Sequence, residues 1–275
     1  MLYINATINC TNLLNFLVLL TKIYGQAIAY FTMTGTKADI IAQLQKEILP
    51  LQGFKATIKN TVDDVGLGSI KNAFPNGVFP LGAIHEFLSA SAEDIAATNG
   101  FVSGILSSLM KKSGATIWIC TSRTLFPPAL KSFGIAPDKI IFIELKKENQ
   151  ILWAMEEALK CEGLAAVISE IKELSFTASR RLQLAVEQSQ VTGFILRNNP
   201  RSVNTTACVT RWKITSLPSE LAEEMPGVGF PRWNVNLLKV RNGKPGNWNI
   251  EWAAGKFRHL TATSLFVPVQ HKKTG

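Results

Sequence analysis

FPLGAIHEFLSASAEDIAATNGFVSGILSSLMKK, residues 79–112, is the stretch that decides the fold. Gly82–Leu88 is a short β-prone run, and Ser89–Ala92 is small and turn-like. A helix is predicted next, because apolar residues recur near helical spacing from Ile95 to Met110. A strand, a tight loop and a helix in this order are the geometry of a phosphate-binding loop, in which the helix N-terminus holds an anion.

The residues that give a phosphate-binding loop its chemistry are missing, however. The pattern is Gly, four residues, then Gly-Lys and Ser or Thr. Aligned without gaps, its two glycines fall on Ser89 and Asp94, its lysine on Ile95. Its hydroxyl residue falls on Ala96. Isoleucine cannot neutralise the β- and γ-phosphates, and alanine cannot bind Mg²⁺. With Glu93 beside them, these residues predict a degenerate loop that holds no nucleotide cofactor.

Two carboxylates, Glu93 and Asp94, lie in the first turn of the predicted helix. Each stabilises the helix dipole by about 0.3–1 kcal/mol and occupies the place that an anionic ligand would need. Ser91 and Asp94 resemble a capping box, which would satisfy the first N–H groups of the helix within the chain. We therefore predict a strand and a helix packed in a core here, with nucleotide binding as the alternative.

Charge is unevenly distributed along the 275 residues. The formal net charge is +9, yet residues 1–179 carry 15 Lys and Arg against 15 Asp and Glu. Residues 180–275 carry 14 against 5, together with four of the six tryptophans. This basic, tryptophan-rich end indicates a polyanion or an acidic protein as a partner. The alternative is a solvated basic face above ordinary core aromatic residues.

Metal and redox chemistry find little support in the sequence. The four cysteines and three histidines show no metal-ligand spacing and no CxxC motif. Cys120 and Cys208 lie in apolar strand-like runs and are predicted to be buried thiols, in keeping with a reducing cytoplasm. His85 is predicted to be an ordinary strand residue. No paired carboxylates and no Ser/His/Asp or Cys/His set indicates a hydrolase.

The two ends of the chain differ from its middle. The apolar run near the N-terminus is short for a membrane span, and no Lys or Arg precedes it as in a signal peptide. Residues 1–32 are therefore predicted to be a non-native or disordered extension, the alternative being an apolar N-terminal helix. Residues 33–78 are predicted as a helical lead-in, with an amphipathic helix over Thr36–Leu49, and residues 256–275 as a flexible tail. No membrane partner is expected.

Between these ends, strands and helices alternate. Unbroken apolar strands are predicted at 115–120, 140–143, 164–168 and 192–196, and helices at 126–133, 149–161 and 177–189. This alternation predicts an α/β protein with a mostly parallel sheet and helices on both faces. Strand-like segments without helices follow over 208–252 and predict an antiparallel C-terminal extension that ends in a hairpin.

Six short segments carry a resemblance to a known family: Phe79–Gly82, Leu125–Leu130, Leu152–Leu159, Ala178–Ala185, Thr210–Trp212 and Pro231–Trp233. The order of elements resembles the RecA-like recombinase core, which is assigned to residues 79–255. More closely, the chain is similar to the ImuA family, the RecA/SulA-related accessory proteins of bacterial mutagenesis cassettes.

This resemblance implies a non-catalytic RecA-like adaptor of SOS-induced translesion DNA synthesis in the cytoplasm. The implied partners are an ImuB-like Y-family polymerase homologue and an error-prone replicative-type polymerase, with RecA and single-stranded DNA as further candidates. The alternatives are a DNA-dependent ATPase of the recombinase type and a SulA-like inhibitor of the tubulin-like division ring. The degenerate phosphate loop favours the adaptor.

Further site residues follow from the resemblance. The strand that corresponds to the Walker B strand of RecA-like proteins is followed by Glu170, which could hold Mg²⁺ in an active relative. Arg180 and Arg181 begin the next helix. Arg197 and Arg201 lie in the place of the loop that borders DNA in RecA. The four arginines are predicted to contact DNA phosphates or an acidic partner, the alternative being solvated surface arginines.

Overall fold

A computed structural model describes residues 65–111, 114–220 and 229–260, together with Asp39, Ile41, Gln43 and Leu44. The chain divides into two compact units, residues 1–59 and residues 60–275. The four described residues of the first unit are helical and fall inside the helix predicted over Thr36–Leu49. The extension predicted at 1–32 lies outside the described residues, as does the tail beyond 260.

The second unit is built on one sheet of nine strands in its described part. The strands are β1 (Ile84–Ser89), β2 (Thr116–Cys120), β3 (Ile140–Glu144), β4 (Ala166–Ile171), β5 (Thr192–Asn198), β6 (Thr210–Leu217), β7 (Arg232–Val240), β8 (Gly246–Ala253) and β9 (Lys256–His259). Their order across the sheet is β3-β2-β4-β5-β1-β6-β7-β8-β9. β1 to β6 pair in parallel, and β7, β8 and β9 join antiparallel. The predicted mostly parallel sheet with an antiparallel extension is therefore confirmed.

Three α helices cover the sheet: α1 (Ala92–Leu109), α2 (Glu148–Leu159) and α3 (Phe176–Ser189). α1 packs on an aromatic-rich core that includes Phe87 and Trp212. α2 and α3 pack on a second, largely aliphatic core that includes Ile84 and Val167. Ile84 and Phe87 reach different cores because successive side chains of a strand face opposite sides of the sheet. None of the described helices is long and apolar enough to cross a membrane.

β3 and β9 differ from their predictions. β3 was predicted as a buried strand, but it forms an edge of the sheet and leaves Ile141 50% exposed. An unbroken apolar run does not by itself distinguish a central strand from an edge strand. β9 occupies the start of the predicted flexible tail. Its turn uses Ala254 and Gly255 at φ 52° and 72°, and alanine is not a residue that signals such a turn.

The folded core also begins before the boundary predicted at residue 79. The 3₁₀ helices Gly68–Ala73 and Pro75–Gly77 precede β1, and Leu67 and Ile70 are fully buried. β6 differs as well, because it was grouped with the antiparallel extension and instead pairs in parallel with β1. The helix-free connection 199–209 therefore carries the chain past β1, from β5 to the far side of that strand.

α1 lies in close contact with the C-terminal strands. A Cβ at Gly104 would lie 2.4 Å from Cζ of Phe257, so only glycine allows this approach. The ring centroid of Phe257 lies 5.2 Å from that of Phe101 and 4.8 Å from that of Trp252. The last strands are thus part of the packing that holds α1 on the sheet.

Candidate functional site

The turn between β1 and α1 is the place at which a phosphate-binding loop would hold its ligand. β1 ends at Ser89 and α1 begins at Ala92, so Ala90 and Ser91 are the whole connection. The phosphate-loop pattern has four residues between its two glycines, and its backbone N–H groups surround the phosphates. Two connecting residues cannot form such a ring. The turn therefore lacks the length of a phosphate-binding loop as well as its lysine and hydroxyl residue.

The first N–H groups of α1 are occupied by side chains of the chain itself. Ser91 Oγ accepts a hydrogen bond from Asp94 N at 3.2 Å, which confirms the predicted cap at Ser91. The Asp94 carboxylate accepts from Ala90 N at 3.4 Å, one residue further back than in a standard capping box. Hydrogen bonds from its own backbone N–H and from Ser91 lower the pKa of Glu93. The helix N-terminus is thus capped and carries two carboxylates.

The other residues aligned with the phosphate-loop pattern offer no ligand groups either. Ser89 is 1% exposed, and its hydroxyl shares a hydrogen bond of 2.9 Å with Thr98 of α1. Ile95 is partly exposed and Ala96 is exposed, and neither side chain can donate a hydrogen bond or bind a cation. Among the described residues, no group of three His, Cys, Asp or Glu side chains could hold a metal ion.

His85, on β1 behind this turn, is a core residue. Its ring stacks between Phe79 and Phe194, with centroid distances of 4.4 and 5.5 Å. One ring nitrogen lies 2.7 Å from Thr210 Oγ1 and the other 2.9 Å from Pro80 O. Burial lowers the pKa of His85 to about 3. At neutral pH the imidazole is therefore uncharged, and its prediction as an ordinary strand residue is confirmed.

The next residue of β1, Glu86, carries a buried negative charge that two arginines share. Glu86 Oε1 accepts from Arg197 Nη1 at 2.9 Å, and Oε2 accepts from Arg211 Nε at 2.8 Å. The Thr206 hydroxyl donates to the same Oε2 at 2.8 Å. The side chains of Glu86 and Arg197 are both 0% exposed. Charged hydrogen bonds thereby join β1 to the strands on either side of it.

The Arg197 guanidinium also holds the loops that follow β4 and β5. Its Nε donates to Lys172 O at 3.1 Å and its Nη2 to Ser202 O at 2.8 Å. The same Nη2 donates to Glu173 Oε2 at 3.1 Å. Glu173 Oε1 accepts in turn from the backbone N–H of Arg201 at 2.7 Å. These bonds satisfy the buried guanidinium and fix both loops at the carboxyl edge of the sheet.

Arg197 is therefore placed differently from its prediction. It was predicted to lie in a flexible basic loop that contacts DNA, but β5 continues to Asn198 and its Arg197 pairs in register with Leu88 of β1. The buried carboxylate of Glu86 compensates the guanidinium inside the sheet, which allows the strand to continue through a charged residue. A side chain that is 0% exposed cannot reach a phosphate group, so Arg197 does not form a DNA contact in this structure.

The other three predicted arginines do not form one surface with it. Arg201 is exposed in the loop after β5. Arg180 is half exposed, with Nη1 3.7 Å from Glu187 Oε1 on its own helix. Arg181 points towards α2 and pairs with Glu156 there. These three side chains are accessible to a partner, but the structure does not bring them together.

Glu170 is likewise engaged within the core. It is 5% exposed, and its Oε1 accepts from Trp118 Nε1 at 2.6 Å and its Oε2 from Asn198 Nδ2 at 3.3 Å. Burial raises the pKa of the Glu170 carboxyl group. It lines a cavity of about 260 Å³ whose other walls are Trp118, Cys120, Arg123, Leu125, Pro127 and Phe142. The carboxylate thus holds an indole and an amide in place.

The two cysteines predicted to be buried thiols are buried, and Cys161 is exposed. Burial raises the pKa of Cys208 to about 12 and also raises that of Cys120. Both are therefore protonated at neutral pH and do not act as nucleophiles.

Glu86 and Arg211 were missed by the reasoning from sequence. The available signal was the position of Glu86 inside the apolar run Gly82–Leu88, because a carboxylate is almost never fully buried without a partner. Arg197 and Arg211 stand in apolar strand-like runs on the strands that flank β1. That combination identifies an internal ion-pair cluster once the strand order is known.

Comparison with known proteins gives two further findings. The chain is 35% identical to Protein ImuA of Caulobacter vibrioides strain NA1000 / CB15N over 198 residues, 68% of this chain and 81% of the relative. Protein ImuA of Caulobacter vibrioides strain ATCC 19089 / CB 15 is similar to the same extent. The crystal structure of the RadB recombinase superposes with a TM-score of 0.50 at 12% identity, covering 72% of this chain and 99% of that chain. The latter establishes a RecA-like fold alone. No protein-family profile matches the chain.

Proposed function

Because the chain belongs to the ImuA family, we propose that it is a non-catalytic RecA-like adaptor of damage-induced, error-prone DNA synthesis. In this proposal it binds an ImuB-like polymerase homologue and recruits, together with it, an error-prone replicative-type polymerase. RecA and single-stranded DNA are further candidate partners, and the place of action is the cytoplasm. The chain would supply binding surfaces rather than chemistry.

The single observation that carries the proposal is the two-residue turn between β1 and α1. A RecA-like motor needs a loop that surrounds the β- and γ-phosphates and a lysine that neutralises them. Here Ala90 and Ser91 are the whole connection, and Glu93 and Asp94 follow at the helix start. A RecA-like fold without this loop would retain its binding surfaces but would not bind ATP.

Exposed apolar side chains support a role in protein binding. Trp153 of α2 is 64% exposed and Phe126, before the 3₁₀ helix Pro127–Phe133, is 68% exposed. Both lie among RecA-like elements whose other aromatic residues are mostly buried. Aromatic side chains that reach solvent are enriched in the centres of protein interfaces.

Nucleotide binding tests the proposal directly. We expect a fluorescent ATP analogue with Mg²⁺ to show no binding to the full chain up to about millimolar concentration, with or without single-stranded DNA, because KM values of enzymes lie mostly between about 1 μM and 1 mM. The matched variant carries Glu93→Gln and Asp94→Asn, which removes both carboxylates and keeps the short turn. This variant should not bind the ATP analogue either, because the absence of a phosphate-binding loop, and not the charge of the two carboxylates, prevents nucleotide binding. Micromolar binding by the wild type would favour the DNA-dependent ATPase instead.

Partner binding tests the other half. The full chain and the ImuB-like protein from the same genome should co-purify as a defined complex, and the wild type should restore damage-induced mutagenesis to cells that lack the gene. A chain that binds no ImuB-like protein and whose deletion leaves damage-induced mutagenesis unchanged would contradict the adaptor.

A further inference from the structure

The sheet has an open face beside α3. α2 and α3 cover this face over the parallel strands, but no helix among the described residues continues over β7, β8 and β9 on that side. Burial alternates along β7, so that Trp233 and Val235 enter the core of α1 while Asn234 and Asn236 face outward. Glu86 and its partner Arg211 point to the same outward side, opposite Phe87.

Five cations gather where α3 borders this open face, and we name them the basic step: Arg180, Arg211, Lys213, Lys239 and Arg241. Arg211 and Lys239 are cross-strand partners, and Lys213 faces outward two residues after Arg211 on β6. The N–H of Arg241 donates to Val209 O at 2.8 Å, which places Arg241 at the start of the same strand. Arg180 of α3 is close enough to act on the charge of Arg241.

The basic step carries more positive charge than its carboxylates compensate. Its two carboxylates are Glu86, already shared by two arginines, and Glu187, which faces Arg180. Among the described residues Lys239 and Arg241 form no ion pair. Their side chains donate instead to the carbonyl oxygens of Thr206 at 2.8 Å and Ala207 at 2.9 Å.

The positions of Lys239 and Arg241 disfavour the charged forms of both side chains. Burial, and after it the charges of Arg211 and Arg241, lower the pKa of Lys239, and the charge of Glu86 opposes them. Burial also lowers the pKa of Arg241, with Glu187 opposing and Arg180 adding to the effect. An anion that approached these two groups would stabilise their charged forms.

A β-bulge adds an apolar side chain to this surface. Trp212 pairs with Leu237 and Arg211 with Lys239, so Leu238 has no partner in the register. Leu237 is 1% exposed, whereas Leu238 is 42% exposed and Lys239 is partly exposed. The bulge therefore turns two consecutive side chains, Leu238 and Lys239, to the outward face. Bulges that redirect side chains in this manner are common next to functional sites.

We propose that the basic step binds an extended acidic segment of a protein partner, with an apolar side chain of that segment packed on Leu238. The proposal rests on the adaptor function, because it supplies the chemistry of one partner contact. Carboxylates of the segment would meet Lys213, Lys239 and Arg241. The side-chain amide of Asn236, which faces outward on β7, would offer hydrogen bonds to its main chain.

Nucleic acid fits this surface less well. The outward residues of β6, β7 and β8 include no aromatic side chain on which bases could stack. An exposed leucine directly before Lys239, in the bulge opposite Arg211, favours a peptide that carries apolar as well as acidic side chains.

Fluorescence anisotropy of the full chain with a labelled peptide of alternating glutamate and leucine tests the proposal. Lys213→Glu should weaken binding at least about tenfold, because a charge that meets the ligand's carboxylates is reversed. The control is Lys139→Glu, an exposed lysine beside the opposite edge strand, which changes the net charge equally and should alter binding less than about twofold. Raising the salt from about 50 to 200 mM should weaken the wild type more than Lys213→Glu.

The apolar contact has its own matched pair. Leu238→Ser should weaken binding of the same peptide by about three- to tenfold. Ile141→Ser on the edge strand β3 removes an apolar side chain of comparable exposure, 50%, away from the bulge and from α3, and should leave binding unchanged. Circular dichroism would show that the variants are folded. Equal effects of both substitutions would mean that Leu238 makes no specific contact, which overturns that part of the proposal.

Three outcomes would overturn the proposal as a whole. The first is that the wild type does not bind the peptide at about millimolar concentration. The second is that Lys213→Glu and Lys139→Glu weaken peptide binding equally. The third is that Lys213→Glu loses binding to oligothymidylate of about 20 nucleotides while it still binds the peptide. The last would make the surface a nucleic-acid site. Failure of the adaptor function can be distinguished from these outcomes. It would appear as the absence of a complex with the ImuB-like protein, whether or not the chain binds the peptide.

Discussion

The β1–α1 turn and the ion-pair cluster around Glu86 belong to the same central strand, yet they are built in opposite ways. The turn consists of small side chains at the surface, capped by Ser91, with its carboxylates in solvent. The cluster buries Glu86 and Arg197 completely and connects three strands and two loops. Both lie on a strand that a RecA-like motor uses for its ligands.

The difference indicates which part of the surroundings of β1 depends on charged side chains for its structure. Buried ion pairs are costly to desolvate and persist only where their geometry is well satisfied. The Glu86 cluster meets that condition with bonds of 2.8–2.9 Å from both arginines. The ion pair between Glu86 and Arg211 joins β1 to β6. Because Arg211 belongs to the basic step, the cluster also holds part of the basic step in place. The turn lacks the lysine and hydroxyl residue of the phosphate-loop pattern, and none of its described side chains is a buried polar group without a hydrogen-bond partner.

The largest effect should follow from breaking the cluster. Arg197→Met keeps much of the side-chain volume but leaves Glu86 and Glu173 without the guanidinium. Because the buried Glu86 would lose one of its two arginine partners, the free energy of unfolding should fall by about 3–5 kcal/mol. Urea unfolding monitored by tryptophan fluorescence measures this loss.

A second substitution distinguishes the ion pair from simple packing. Adding Glu86→Gln to Arg197→Met removes the carboxylate that has lost one of its two arginines, while the glutamine oxygen can still accept from Arg211, and it should restore part of the lost stability. A loss below about 1 kcal/mol for Arg197→Met alone would show that the cluster resembles an exposed surface pair, and the contrast with the turn would disappear.

A smaller effect should come from His85, which stands one residue before Glu86. Its pKa is about 3 in the folded protein and close to 6.5 when unfolded, so the unfolded chain binds the extra proton first. The stability that neutral His85 provides is complete above pH 6.5 and is lost as the pH falls towards 3. Between pH 7.5 and 5, the free energy of unfolding should decrease by about 2 kcal/mol from this residue.

His85→Gln is the control for this pH dependence, since glutamine can still bond to Thr210 and Pro80 but does not titrate. Its unfolding free energy should be flatter by that amount over the same pH range. If the unfolding free energies of wild type and variant changed in parallel with pH, the His85 ring would be protonated equally in the folded and unfolded states. The core around β1 would then be less tightly packed than its contacts indicate.

Much of the fold was predictable because the strongest signals are local. The unbroken apolar strands and the helices between them predicted the parallel sheet, and the alternation around Trp248, Ile250 and Trp252 predicted the hairpin. The edge position of β3 and the parallel pairing of β6 depend on strand order, which hydrophobic periodicity does not contain. β9 depends on a turn in which Ala254, which is not a usual turn residue, adopts a positive φ directly before Gly255.

At the β1–α1 turn, the sequence shows residue by residue, from Ser89 to Ala96, that the phosphate-loop pattern is not matched. That only two residues connect β1 to α1 could not be predicted, because it required the helix start to be known. The Glu86 cluster joins residues more than 100 positions apart, Glu86 with Arg197 and Arg211, and the sequence does not show that their strands are neighbours. For the same reason Arg197 was taken for a surface residue.

The smallest effect should come from the turn itself. Ser91→Ala removes the side-chain oxygen that accepts from Asp94 N, and the free energy of unfolding should fall by about 1 kcal/mol, the usual cost of losing such a cap. Urea unfolding of wild type and variant measures it, with Ser108→Ala, near the C-terminal end of α1, as the control for a serine lost elsewhere in the helix. Because the cap does only structural work, the variant should gain no affinity for Mg²⁺ and ATP. Nucleotide binding that appeared on removing the cap would mean that Ser91 blocks a phosphate site, and the turn would then be a closed version of the motor's loop rather than its replacement.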